Sequence, residues 1–364
     1  MKTKKFKLKA SIILFLFIFA NLASFAAKDE YSKELHKDYN VNEQSVLVVS
    51  NKYGDVDITN WKENKVSIDV KITVDHRDEE KAKELLEYLN VEFKKEGNKI
   101  YAETDINDKF NKSGWFFNFG SDSKEFSIDY TIKMPKTISL ELTNKYGDVF
   151  INEITGYAQI LVKYGNLKAN KILRDNTKPL SFVELSYSEG SIEEVNWLKL
   201  KLKYSPKFEI NKSKAIIAET KYSELRIEEN SSLVCESSYD QYRIGTLNNM
   251  VCESKYTDIN IDKLTKKLDL TNKYGDIDID EIPAGFQEVK VYNKYGQIDL
   301  KIAENASYQI DGKAEYADID IPGDAKVNRI EENTELSIEG YVGKDPNTKS
   351  KVKIETKYGS VDLD

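Results

Sequence analysis

A tyrosine returns along this chain at Tyr146, Tyr164, Tyr187, Tyr204, Tyr222, Tyr239, Tyr256, Tyr274, Tyr295 and Tyr316, with outlying copies at Tyr53 and Tyr358. The successive gaps in the main run are 18, 23, 17, 18, 17, 17, 18, 21 and 21 residues. The fullest form of the unit is Asn272-Lys-Tyr-Gly-Asp276, set between two short apolar–polar alternations. A period near 18 residues is the mark of a solenoid, in which no repeat can bury its apolar face alone and each needs its neighbours.

Aligning the copies on the tyrosine sharpens this. Four residues before it stand Leu142, Ile160, Val183, Leu200, Ala218, Cys235, Cys252, Leu270 and Val291. Three and five residues after it stand pairs such as Val149 and Ile151, Ile259 and Ile261, and Ile277 and Ile279, with a polar residue between. Each copy therefore reads as two short alternating strands joined by a tight corner. Glycine is expected to make the bend, and the tyrosine to share the inward parity of the strand before it.

The expected fold is all-β: a single-stranded parallel β-helix whose identical side chains stack in ladders. Ten rungs at roughly 4.8 Å would give a rod of about 45–50 Å. The crossover rule for parallel strands favours right-handed coiling. A left-handed hexapeptide helix, a β-sandwich and a propeller are the alternatives. No apolar residue recurs every six positions, and propeller repeats are longer.

Taken in order, residues 1–26 combine a lysine-rich start, an apolar run from Ala10 to Ala20 and Ser24-Phe-Ala26, the pattern of a secretory signal peptide. Residues 27–45 are a polar lead-in. Residues 46–135 read as a small α+β N-terminal cap. Within it are a strand–turn–strand at Val46–Ile58, an alternating strand over 66–74, a helix near 76–89 capped by Asp75, and strands near 91–95 and 99–106. The solenoid proper spans 136–322, in rungs of 17–23 residues. Residues 323–364 are expected to form a C-terminal cap built on a hairpin of 336–342 with 351–356.

No later run approaches the roughly 18–20 apolar residues of a membrane helix. The formal charge is −8, and losing the five lysines of residues 1–26 would make it −13. An acidic exported chain is a poor match for nucleic acid. The expected location is exported: periplasmic, cell-surface or secreted.

The candidates for chemistry are few. The lysine before most of the tyrosines, as at Lys145, Lys203 and Lys273, and the acidic residue after several, as at Asp148, Asp258 and Asp276, suggest a solvated face with neutralisation between rungs. The densest acidic patch, Asp276, Asp278, Asp299, Asp318 and Asp320, supplies candidate oxygen ligands for Ca²⁺, although the glycine-rich calcium nonapeptide is absent. Cys235 and Cys252 share one repeat position, so they should face each other within disulfide reach. Parallel in-register side chains disfavour the torsion, so two buried thiols are expected, with a bond as the alternative. His36 and His76 are the only histidines, which leaves no His-based triad or zinc site. Trp115, Phe116, Phe117 and Phe119 break the pattern, as an end plug or a hydrophobic contact for a partner. The long rung before Tyr187, with Arg174, Asp175 and Glu184, also departs from it. No cofactor is expected.

The run Tyr130-Thr-Ile-Lys-Met-Pro135, then Leu140-Glu-Leu-Thr-Asn-Lys-Tyr-Gly-Asp-Val-Phe-Ile151 and its repeats, resembles the "putative adhesin", head-GIN-like β-solenoid family of exported Bacteroidetes-type proteins. The resemblance covers roughly residues 46–364. It implies a parallel β-helix in the cell envelope and offers no catalytic residues to carry over. This chain departs from the family in placing Tyr at nearly every corner. The function expected is a non-enzymatic envelope interaction or structural module, with an envelope protein or glycan as partner. A carbohydrate-active β-helix enzyme and an accessory or sensor protein of an envelope-stress system are the alternatives.

Overall fold

A computed structural model describes residues 29–112 and 126–364. The chain divides into two compact units. The smaller comprises residues up to Glu34, Lys71–Asn90 and Ile106–Ser127, and the larger Leu35–Val70, Val91–Asp105 and Ile128–Asp364. The expected signal peptide and the aromatic cluster Trp115, Phe116, Phe117 and Phe119 lie outside the described residues.

The smaller unit holds the one sizeable helix, Glu79–Tyr88. Its cap is Asp78, whose carboxylate accepts from the amides of Glu80 at 3.0 Å and Lys81 at 3.2 Å. Asp75 was the expected cap. Either aspartate suits the role in sequence, but His76 still belongs to the strand Lys65–His76, so the helix starts later. Ala82, Leu85 and Leu86 form its buried stripe.

The larger unit is the solenoid. Each rung contributes a strand ending at the corner tyrosine and a strand leaving it, and equivalent strands pair in parallel from rung to rung. The register is unbroken over long stretches: Ala218 pairs Cys235, Cys235 pairs Cys252, and Cys252 pairs Leu270. The inward columns are closed to solvent, with Leu142 1%, Ile160 0% and Leu200 0% exposed. The two ladders face each other across this interior, where the Thr220 hydroxyl and the Tyr242 phenol meet at 2.7 Å. In the central rungs the leaving strand runs on into the next approaching strand, as in Glu224–Ser238 and Gln241–Lys255.

At both ends the spatial order of rungs departs from chain order. Val46–Lys52 pairs with Ser139–Lys145, and Val56–Ile58 with Val149–Ile151. The expected N-terminal cap thus contributes a rung to the stack, covered on its outer side by parallel pairing with Lys99–Glu103 and Tyr130–Met134. The other end is more unusual. Lys351–Lys357 lies in parallel between Glu288–Lys294 and Gln309–Glu315. Ser360–Leu363 likewise lies between Ile298–Leu300 and Asp318–Asp320. The last residues of the chain therefore form an interior rung. The expected hairpin of 336–342 with 351–356 does not exist. The antiparallel hairpin joins Lys326–Glu332 to Glu335–Val342, which also pairs antiparallel with Tyr308–Glu315. An alternating strand carries the same pattern whichever neighbour it takes, so the sequence leaves the partner open.

Cys235 and Cys252 form a disulfide across adjacent rungs, with Cα atoms 4.6 Å apart. Two free thiols were expected. Directly opposed positions of a parallel ladder bring the Cα atoms within bonding range, and that proximity prevails. Denaturing alkylation without reductant is expected to label no thiol, with a mass two hydrogens below the reduced chain. Closing a loop of 17 residues contributes about 3 kcal/mol, so reduction should lower the melting temperature. Labelling of both thiols in the unreduced protein would contradict the pairing.

Candidate interaction surface

The corners are the repeated surface feature. All twelve corner tyrosines have left-handed backbone, with φ between 51° and 66°. The tyrosine, not the glycine, makes the bend. A left-handed residue breaks the strand's alternation, so the ring swings outward instead of inward. The rings from Tyr146 to Tyr358 are 40–55% exposed. Every corner amide but that of Tyr316, which donates to Thr334 in the hairpin turn, donates to a carbonyl one rung away, as Tyr204 does to Lys221 at 3.0 Å and Tyr256 to Lys273 at 2.7 Å. The backbone ladder therefore continues through the bend.

The glycine that follows serves close approach. A Cβ at Gly147 would lie 2.0 Å from the carbonyl oxygen of Gly54, and one at Gly275 2.1 Å from that of Thr257. Two corner chemistries occupy separate stretches of the rod, glycine corners toward the ends and Ser, Thr or Asp corners from Ser188 to Thr257. In the first, an inward asparagine two residues before the tyrosine donates to carbonyls in the bend: Asn144 to Gly147 at 2.8 Å and Gly54 at 3.1 Å, and Asn272 to Gly275 at 3.0 Å. In the second, the glycine position holds Ser or Thr, whose hydroxyl donates back to the lysine carbonyl. Ser223 does so to Lys221 at 3.0 Å and Thr257 to Lys255 at 3.1 Å.

Asp240 occupies the same position in the Tyr239 rung. Its buried carboxylate accepts from Thr220, Ser237 and the amides of Ser223 and Ser238, at 2.7–2.9 Å. Burial raises its pKa, and these hydrogen bonds oppose the rise.

The tyrosines stack into one column. Centroids are 4.7–5.1 Å apart and ring planes 3–20° from parallel, through eleven successive contacts from Tyr53 to Tyr316. The C-terminal rung takes part: Tyr358 sits between Tyr295 and Tyr316. Because each ring covers its neighbour's face, the column presents ring edges and phenol hydroxyls to solvent.

Lysine ammonium groups lie against the rings, Lys163 at 4.8 Å from the Tyr164 centroid and Lys294 at 5.0 Å from Tyr295. Among the described residues, Lys357 with Glu315 at 2.6 Å is the one ion pair made by these corner lysines. The acidic column two residues past the tyrosine holds the rungs together. Asp55 accepts from the Asp148 amide at 2.7 Å, Asp148 from Asn166 at 2.8 Å and Asp276 from Gln297 at 2.8 Å. The neutralisation expected between these two columns is thus replaced by cation–π contacts on one side and amide hydrogen bonds on the other. Ion pairs between rungs occur away from the corner, as in Lys263–Glu281 at 2.7 Å and Lys267–Glu288 at 3.0 Å.

A left-handed tyrosine costs roughly 1–2 kcal/mol, while stacking returns about 0.5–1.5 kcal/mol per pair and a lysine about 0.5–1 kcal/mol. Tyr204→Asn exchanges stacking for a residue that tolerates this backbone, so thermal unfolding should show a change within about 1 kcal/mol. Tyr204→Val loses the stacking and worsens the strain, and should cost about 2–3 kcal/mol.

The calcium candidates separate. Asp278 is opposite Asp299, Asp299 opposite Asp362, and Asp362 opposite Asp320, because the C-terminal rung brings Asp362 into the column. Asp276 belongs to the corner column, and Asp318 pairs with Arg329 at 2.8 Å. Asp276 and Asp299 therefore occupy different columns. Among the described residues no three His, Cys, Asp or Glu side chains converge as metal ligands.

Burial and neighbouring carboxylates raise the pKa of Asp278 and Asp362, and Oδ1 of Asp278 and of Asp299 has no protein donor. A raised carboxylate takes up its proton more readily in the folded state. These groups therefore destabilise the fold above the usual carboxylate range, and the penalty fades as pH falls through the raised value. Asp299→Asn is accordingly expected to raise the melting temperature at neutral pH by an amount that shrinks under acid. Like charges directly opposed cost about 0.2–1 kcal/mol.

In the long rung, Arg174 lies 5.5 Å from the Tyr157 ring centroid and its Nε donates to the Thr177 carbonyl at 3.4 Å. The loop there closes on local contacts.

No curated protein matches this chain. Among solved structures, a "putative adhesin" from Parabacteroides distasonis is 12% identical, with 91% of this chain and 97% of that one covered at a TM-score of 0.32. A "putative cell adhesion protein" from Clostridium sporogenes is 11% identical over 92% and 99%, at 0.21. A "putative lipid binding protein" from Parabacteroides distasonis is 11% identical over 91% and 97%, at 0.29. Scores this low carry no weight for fold or function, which rest on the register and burial above. The Toastrack DUF4097 family model matches residues 45–364, and the chain belongs to that family.

Proposed function

We propose that this protein is an exported, non-enzymatic β-solenoid that works as an interaction module of the cell envelope, with the tyrosine corner as its binding strip. The observation that carries this reading is which repeat position stays fixed. Buried positions drift among Leu, Ile, Val, Ala and Cys, the lysine becomes Ser or Glu, and the glycine becomes Ser, Thr, Asp or Ala. The half-exposed tyrosine is Tyr in all twelve corners, at a backbone conformation that asparagine or glycine would adopt more cheaply. Packing alone would hold the buried positions and release the exposed one. Strained, exposed residues kept in place are a reason to look for function. Identical groups repeated every rung suit multivalent contact with an extended surface better than a single reaction centre.

Export follows from the character of residues 1–26, and fractionation of the producing cell would test it. For binding, the chain without residues 1–26 would be screened on a glycan array and against envelope extracts, with analysis of products. Retention without cleavage that is lost in Tyr164→Asn/Tyr187→Asn/Tyr204→Asn supports the reading. New reducing ends would instead favour a carbohydrate-active enzyme. Retention unchanged in that triple variant would move the binding strip elsewhere.

A further inference from the structure

The geometry points to a second copy of this chain as the partner of the tyrosine strip, docked side by side and parallel about a two-fold axis that runs along the rod. This rests on the strip being the binding surface and adds what it binds.

Four features favour that occupant. The first is spacing. The rings repeat every 4.7–5.1 Å, the interval between β-strands, so a second β-stack of equal rise stays in phase along the whole column. The second is what the rings expose. With their faces covered by neighbours, they offer no platform for a nucleobase or a sugar ring to stack upon. They offer hydroxyls, each both donor and acceptor, which is a self-complementary group.

The third is charge. In several corners the chain passes lysine, tyrosine, a small residue and acid in turn around the bend, so cations flank the column on one side and carboxylates on the other. Lys145 with Asp148, Lys255 with Asp258 and Lys273 with Asp276 are examples. A two-fold axis parallel to the rod sets each copy's lysines opposite the other's carboxylates. An axis perpendicular to the rod would oppose lysine to lysine and acid to acid, so the parallel arrangement is selected. The corner lysines are free to serve, because among the described residues all but Lys357 lack an ion-pair partner.

The fourth is area. A strip roughly 50 Å long and about 10 Å across gives on the order of 500 Å² per copy, or about 1,000 Å² in total, at the threshold that a specific interface needs to reach.

The test uses the chain without residues 1–26. Sedimentation equilibrium over micromolar concentrations should give a dimer. Lys145→Glu/Lys255→Glu/Lys273→Glu, which touches no buried group, should weaken it by about two orders of magnitude. Mixing that variant with Asp148→Lys/Asp258→Lys/Asp276→Lys should restore a mixed dimer, provided the latter melts near the parent. Tyr146→Cys lies toward one end of the column, so oxidation should link two copies covalently only if they run parallel.

A monomer at every concentration overturns the proposal, as does a dimer indifferent to the lysine reversals or one in which Tyr146→Cys never cross-links. If the chain is monomeric yet the tyrosine triple variant loses a glycan or envelope partner, the strip reading stands and only this partner falls. If that variant also changes no binding, both fall.

Discussion

A chain ending at Ser350 is expected to lose the cooperative fold of its C-terminal third. The missing rung carries Val352, Ile354, Val361 and Leu363, each at most 2% exposed. Burying four such side chains contributes about 6–12 kcal/mol before the cost of ordering them, comparable to the whole stability of an ordinary domain. The loss is not confined to an end. Removing an interior rung leaves Glu288–Lys294 and Gln309–Glu315 facing each other as two unpaired parallel edges. Closing the gap would require Tyr308–Glu315 to shift by a whole strand spacing together with Glu335–Val342, the strand paired to its far side. Limited proteolysis should cut between residues 288 and 342 in the truncated chain and spare the same stretch in the full one. Thermal unfolding by circular dichroism should show a lowered or split transition. An unchanged melting curve would mean the last rung is dispensable.

The second large effect is expected from Gly275→Ala. A methyl group there would stand 2.1 Å from the Thr257 carbonyl oxygen, and the atom it meets is backbone held by the neighbouring rung. The clash has no flexible side chain to absorb it, so a cost of roughly 3 kcal/mol or more is expected in chemical denaturation. The conflict is specific to one kind of corner. The rungs at Tyr204, Tyr222 and Tyr256 carry Ser205, Ser223 and Thr257 at this position, and none places an inward asparagine before its tyrosine. Converting the whole corner with Asn272→Ser and Gly275→Ser should therefore cost less than Gly275→Ala alone. A strictly additive pair of effects would show that the two corner chemistries are not alternatives.

The architecture was open to reading because a solenoid writes its period and its inward columns directly into the sequence. Leu142, Ile160 and Leu200 are buried where alignment on the tyrosine puts them. The stacked phenols follow from the same alignment. The tyrosine's outward direction was not legible, since two-residue alternation carries the inward parity of Asn272 straight on to Tyr274. Only the left-handed φ of 60° reverses it. Rung order was not legible either. Parallel neighbours share one alternation, so nothing in Lys351–Lys357 says that it belongs between Tyr295 and Tyr316. The Asp278–Asp299–Asp362–Asp320 column was missed for that reason, because Asp362 is distant in sequence from its neighbours. The disulfide turned on proximity outweighing torsional preference. The strip itself is written as Asn-Lys-Tyr-Gly-Asp, and only the left-handed backbone at each corner exposes its rings.

Equivalent corners make the rod a ruler with discrete graduations. Each bend is closed by its own residues and by the rung beside it, so a rung can be excised or duplicated as a cassette without redesigning the rest. Length would then change only in whole steps of about 4.8 Å. Gene duplication of a stretch such as Tyr204–Lys221, which holds one corner tyrosine and no cysteine, would lengthen the molecule by one rung, add one more tyrosine to the strip and leave every existing contact type intact. Length and the number of exposed tyrosines are thus coupled in this molecule, and selection for either one changes the other in the same proportion.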